Sequence, residues 1–386
     1  MRAFVFTDRS LARHAGRFVW LEIATEKRKN AALKQRLGIP ALPTFFILDS
    51  RDEHVALRWT GGATVSQLEK ILDDGSAAVA AASKPPDENS PSADADRALL
   101  AADRLYGEGK YAEAAAGYQE ALAAAPGEWP RYGRVVESLL FALGESDQHA
   151  ASVQLAREAW PRLAKTPSAA SVASYGLDAA VQLPDSARER PAWIAELEQH
   201  AREILADGSL PLAADDRSGL YISLLDARKA AKDEAGARKV AEAWSAFLDG
   251  EAAKARTPSE RTVFDPHRVA AYIEIGSPER AIPMLEQSER DFPDDYNPPA
   301  RLAIAYRAMK RWKEGLAASD RALARAYGPR ELGMLQVRAD LYAGLADTAQ
   351  ARKTLEDAIA MADSLPPGQR SESTIASLKK KLEAMR

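Results

Sequence analysis

The sequence predicts a multidomain protein: a small α/β segment at the front, then an all-α solenoid of antiparallel helix pairs over about three quarters of the chain. Three observations predict it. Residues 18–72 switch between strand-like and helix-like apolar patterns. Residues 83–92 concentrate proline, serine and charge with no apolar period. From Ala95 onward alanine and leucine recur at helical spacing, and equivalent residues return every 34 to 36 positions. The resulting division is 1–74 for the front domain, 75–94 for a tether and 95–386 for the helical array.

In the front domain Phe18-Val19-Trp20-Leu21-Glu22-Ile23 reads as a mostly buried strand. A helix follows from Glu26 to Leu37, with Gly38 placed to cap it. Residues 43–48 form a second strand, Asp49-Ser50-Arg51-Asp52 a turn, and Val55–Trp59 the returning strand of a hairpin. A helix from Thr64 to Leu72 closes the unit, and one crossover plus one hairpin implies a mixed sheet.

The strand at 18–23, the run Gly38-Ile39-Pro40-Ala41-Leu42-Pro43-Thr44 and the hairpin ending in Trp59-Thr60-Gly61-Gly62 resemble the C-terminal two-thirds of a thioredoxin-like domain. The resemblance implies that Pro43 is the cis-proline of a substrate groove flanked by Leu42 and Thr44. The bare alternative is that Pro40 and Pro43 end a helix and open an edge strand. The family's first strand and its Cys-x-x-Cys would precede Met1, and residues 1–15 look like the remainder of its first helix. Ala24 stands where relatives often carry an acid. A sheet lacking its first strand is expected to be less stable than the helical array or to pair with another chain.

In the array Tyr272, Tyr306 and Tyr342 are equivalent, each followed after nine residues by Ala281, Gly315 and Ala351, and after seven more by Ser288, Ala322 and Ala358. Ala114, Tyr118 and Ala121 with Pro126 repeat the frame. Small residues let two helices of a pair approach closely, and a large residue one turn on fills the gap to the next pair. This resembles the tetratricopeptide repeat, closely over 95–128 and 262–363 and loosely over 129–250. About seven pairs are expected, closed by a polar capping helix at 371–385.

Composition removes several functions. Lysine and arginine number 52 against 56 acids, a formal net charge of −4, so no overall basic field attracts nucleic acid or anionic lipid. No stretch approaches the ~18 apolar residues of a bilayer span, so no membrane insertion is expected. Met1-Arg2-Ala3 runs through Phe4-Val5-Phe6 into Thr7-Asp8-Arg9 without the form of an export signal; the compartment stays open, cytoplasmic as written, or periplasmic if a signal lies upstream. Cysteine is absent, which removes thiolate chemistry from these residues. His14, His54, His149, His200 and His267 are scattered, so no metal or other cofactor is expected. Gly107-Glu108-Gly109-Lys110 reads as a turn between helices, since no strand precedes it as a phosphate loop requires.

The repeat resemblance implies a concave face that binds extended peptides or helices of other proteins. His267, Arg268, Arg301 and Arg307, with Lys310, are candidates to line that face and meet acidic peptides. The lysine and asparagine by which some members grip a C-terminal carboxylate have no counterpart: the matching places hold Leu99 and Asp103, Pro266 and Ala270, Ala300 and Ile304, Gln336 and Asp340. No nucleophile, base and orienter can be assembled. Two functions stay open: an interaction scaffold carrying a redox-inactive thioredoxin-like module, or a truncated thiol-disulfide oxidoreductase whose Cys-x-x-Cys lies upstream of Met1.

Overall fold

The computed structural model describes residues 4–39, 42–81 and 90–385. Residues 28–30 make a short 3-10 turn and α1 (Ala31–Leu37) continues it, ending at Gly38 in the left-handed region (φ 53°). β1 (Thr44–Leu48) and β2 (Val55–Thr60) pair antiparallel, as the turn expected between them requires. Asp49, almost fully buried, accepts Arg51 N–H at 2.9 Å and its guanidinium, which locks the hairpin turn. α2 (Val65–Ala81) buries Leu68, Ile71 and Leu72 and passes Ile47 of β1 at Gly75, where a Cβ would lie 2.1 Å from the isoleucine.

The expected mixed sheet needs correction. Among the described residues the sheet has two strands only, and residues 18–24 form neither strand nor helix. Val19 is 88% and Leu21 76% exposed, so this is not a buried strand. The reason lies in where the segment is held. Gln369 Nε2 donates to Thr25 O at 2.7 Å and Lys27 O at 3.1 Å, and Arg330 pairs with Glu26 at 3.3 Å. The chain therefore falls into two units, Met1–Ala15 with Ile39–Val240 and Gly16–Gly38 with Ala241–Arg386. A thioredoxin-like domain does not appear in this arrangement. Of the tether expected at 75–94, residues 75–81 complete α2 and 82–89 lie outside the described residues, as do Pro40 and Ala41.

In the first unit, α3 (Ala93–Gly107) pairs with α4 (Tyr111–Ala124), α5 (Tyr132–Glu145) with α6 (His149–Leu163), and α7 (Ala169–Gln182) with α8 (Arg190–Ala206). α9 (Ala214–Ala230) and the start of α10 (Glu234–Ala253) follow. α5 touches α7 and α7 touches α9, so the first helices of successive pairs stand side by side. Small residues set the spacing: a Cβ at Gly117 would lie 3.0 Å from Ala102 Cβ, and one at Gly176 2.6 Å from Ala156 Cβ.

The second unit holds the remainder of α10 and α11 (Pro258–Thr262). Three pairs follow: α12 (Asp265–Glu274) with α13 (Ala281–Asp291), α14 (Asn297–Ala308) with α15 (Trp312–Leu323), and α16 (Pro329–Gly344) with α17 (Thr348–Ser364). Ala281, Ser288, Ala322, Ala351 and Ala358 are fully buried, as the repeat frame requires. α18 (Glu372–Glu383) packs Ile375 and Leu378 onto α17.

Most pairs turn the same way. Gly109, Asp147, Lys232, Gly276, Lys310 and Ala346 each take φ between 57° and 76°, and the amide that follows bonds back five residues, as in Lys110 N to Leu105 O and Arg311 N to Tyr306 O at 2.9 Å each. This is the Schellman turn, and it accounts for Gly109 without any phosphate-binding role.

Candidate functional site

The side-by-side first helices of the first unit enclose a cleft of about 170 Å³ with the end of the hairpin. One wall is Trp59, Thr60, Gly61 and Gly62; the others come from Tyr106 on α3, Glu137 and Phe141 on α5, Ser171, Ser174 and Tyr175 on α7, and Asp215 and Asp216 on α9. Trp59 Nε1 donates to Gly62 O at 2.9 Å, and Tyr106 OH to Thr60 Oγ1 at 3.3 Å, so the hairpin end is tied to α3. Beneath it Arg58 is fully buried against the rings of Phe46, Tyr106 and Tyr111 at 5.3–5.6 Å. Edge-to-face contacts run Tyr106 to Phe141 at 5.9 Å and Phe141 to Tyr175 at 6.2 Å, an aromatic ladder across three first helices.

The charge is one-sided. Glu137 is buried and accepts Ser168 Oγ at 2.5 Å and Ser171 Oγ at 2.9 Å; burial pushes its carboxyl up to about 7 despite those bonds. Asp216 accepts the Ala213 amide at 3.0 Å, closing the start of α9, and burial raises it to about 6. Asp215 beside it is exposed. Among the described residues no lysine, arginine or histidine lines the cleft. Nearby cations are engaged elsewhere: Arg217 donates to Ile204 O, Asp207 O and Leu210 O at 2.8–3.2 Å, and Arg134 grips Asp103 with both terminal nitrogens at 3.0–3.1 Å.

The residues singled out by sequence lie elsewhere. The Leu42–Pro43 bond is cis, Leu42 is 62% exposed and Thr44 opens β1, but none of the three borders the cleft. His267, Arg268, Arg301 and Arg307 belong to the second unit, where two of them are paired with acids. Arg268 donates to Asp249 at 2.9 Å and Tyr272 OH at 3.1 Å, and Arg307 to Asp340 at 2.7 Å, which Lys381 also binds. His267 lies against the Trp244 ring at 5.8 Å. Arg301 differs: it forms no hydrogen bond among the described residues, and burial lowers its guanidinium against the pull of Asp265 and Asp295.

Two groupings escaped the sequence reading. His54, taken as one of five scattered histidines, pairs with Asp52 at 2.6 Å beside Asp49 at the hairpin turn, with Asp49 held by Arg51. The cleft acids form the second: Glu137 and its partner Ser171 stand 34 residues apart, one repeat length, on adjacent first helices.

No protein-family model and no curated protein matches the chain. Among solved structures, a tetratricopeptide repeat protein from Parabacteroides merdae is similar at 9% identity, over 75% of this chain and 99% of that one, with a TM-score of 0.49. The TPR2AB-domain:pHSP90 complex of yeast Sti1 is similar at 14% identity, over 75% and 98% of the two chains, with a TM-score of 0.28.

Proposed function

We propose that this chain is a protein-interaction scaffold and that the first helices of its front unit hold an extended segment of a partner. The cleft carries the reading: it joins four first helices and a hairpin, and it combines aromatic walls with polar groups, as recognition pockets do. Side chains fixed by packing present such a surface at little ordering cost. Ser174, half-buried at the cleft, gives the test. Ser174→Trp fills the space, whereas Glu120→Trp alters an exposed position on α4. Co-purified partners should be lost with the first and kept with the second. Partners indifferent to Ser174→Trp would contradict the reading.

Two further contact surfaces belong to the same proposal. The thioredoxin-like resemblance of the front segment supports Leu42, Pro43 and Thr44 as an apolar contact, and with no cysteine in these 386 residues it is proposed for binding alone. The free donors of Arg301 suit an acidic group on a partner. Leu42→Asp and Arg301→Glu are each expected to weaken a captured partner about tenfold, one well-made contact in free energy. Unchanged affinity in a titration would remove the corresponding surface.

A further inference from the structure

We infer that the cleft of the first unit selects a basic side chain, arginine or lysine, projecting from the partner's bound segment. The inference rests on the scaffold reading and adds the chemistry of the ligand. Four observations meet at one place. The cavity is open to solvent on a face of first helices and bounded by the hairpin end. Its carboxylates, Glu137, Asp215 and Asp216, have no cation among the lining residues, while the neighbouring Arg134 and Arg217 are bound elsewhere. Glu137 is satisfied only by two serine hydroxyls, which donate hydrogen bonds without supplying charge. Tyr175, partly buried in the wall, makes no hydrogen bond among the described residues; burial and the charges of Glu137, Asp178 and Asp216 push its hydroxyl well above the ordinary phenol range.

A guanidinium or ammonium group answers each of these at once. It donates to carboxylates, where charge-assisted bonds are strongest. It lies against the rings of Phe141 and Tyr175, whose faces attract cations. It also leaves Tyr175 a place beside the ligand's own backbone or side-chain acceptors. Neutralising an acidic cavity lowers the cost of keeping those carboxylates ionised, which an acidic or purely apolar ligand cannot do. The acceptors here would repel the C-terminal carboxylate that a lysine–asparagine clamp captures.

The test is a selection of short random peptides on the immobilised full chain, read against three variants. Asp216→Asn keeps the oxygen that caps α9 and removes the charge. Asp215→Asn changes an exposed side chain, so its folding is secure. Ser174→Trp closes the cavity. The expected result is enrichment of peptides carrying arginine or lysine, whose affinity falls about tenfold or more in each Asn variant, the loss of one charge-assisted bond, and disappears with Ser174→Trp. Peptides lost with Ser174→Trp but lacking a basic residue, or unaffected by both Asn variants, would overturn the cation and leave the scaffold standing. Peptides that bind independently of Ser174→Trp would overturn both.

Discussion

Asp103→Ala is expected to lower stability by about 3–5 kcal/mol, because it strips a buried arginine of its main partner. Arg134 reaches Asp103 with both terminal nitrogens at 3.0–3.1 Å and has Asp74 2.9 Å from Nε; its side chain is 10% exposed. The same carboxylate accepts the hydroxyl of Tyr118, which is fully buried, at 2.8 Å. Removing it leaves a guanidinium half-paired and a phenol unsatisfied between four helices, α2 through α5. A buried ion pair need not stabilise relative to an apolar replacement, but one partner left alone does cost. Asp94→Ala is the control: its pair with Arg97 is exposed and should matter little. Urea midpoints report both changes. A loss below about 1 kcal/mol for Asp103→Ala would mean that Asp74 alone carries Arg134, since one ordinary neutral hydrogen bond contributes about that much.

The second large effect is in the pH dependence of Glu137→Gln. Burial pushes the carboxyl up to about 7 in the folded chain from its ordinary 4.5, so between those values the folded state holds the extra proton. Its contribution to stability is fully present at pH below 4.5 and is lost as pH rises towards 7, in total about 3 kcal/mol at 1.36 kcal/mol per pH unit. The groups facing it are the Ser168 and Ser171 hydroxyls, the carboxylate of Asp216 and the guanidinium of Arg134. Glutamine keeps a carbonyl acceptor for one serine and offers its amide to the other. The wild-type minus variant stability should therefore fall steadily from pH 4.5 to 7, with the variant the more stable at neutral pH. A flat difference would show that water or a cation already compensates the ionised carboxylate.

The helix pairs were legible because their signal is repeated: Tyr272, Tyr306 and Tyr342 recur with the small residues that follow them, and burial of Ala281, Ala351 and Ala358 is what close helix approach demands. The turns were half legible. Glycine announces the left-handed position at Gly109 and Gly276, but Asp147, Lys232, Lys310 and Ala346 adopt it against their own preference, held by the bonded helix ends. The strand expected at 18–23 failed for a nonlocal reason. Its apolar pattern suits a sheet, yet the anchors of the adjoining residues, Arg330 and Gln369, lie more than 300 positions on, beyond any local pattern. The cleft was not legible as a site because its three acids sit on α5 and α9, where the repeat frame is loosest. The basic residues that did stand out, Arg268 and Arg307, had partners that spacing along one helix does not reveal.

The most direct test of the central claim is photo-crosslinking from an amber-coded benzophenone at position 215, exposed at the edge of the cleft and so not filling it, with position 120 on α4 as control, followed by mapping of the joined residues. The account predicts a crosslink from position 215 to a single extended segment of a partner, with a lysine or arginine beside the point of attachment. Crosslinks arising only from position 120, or none from 215 in a chain that still binds its partner, would contradict it.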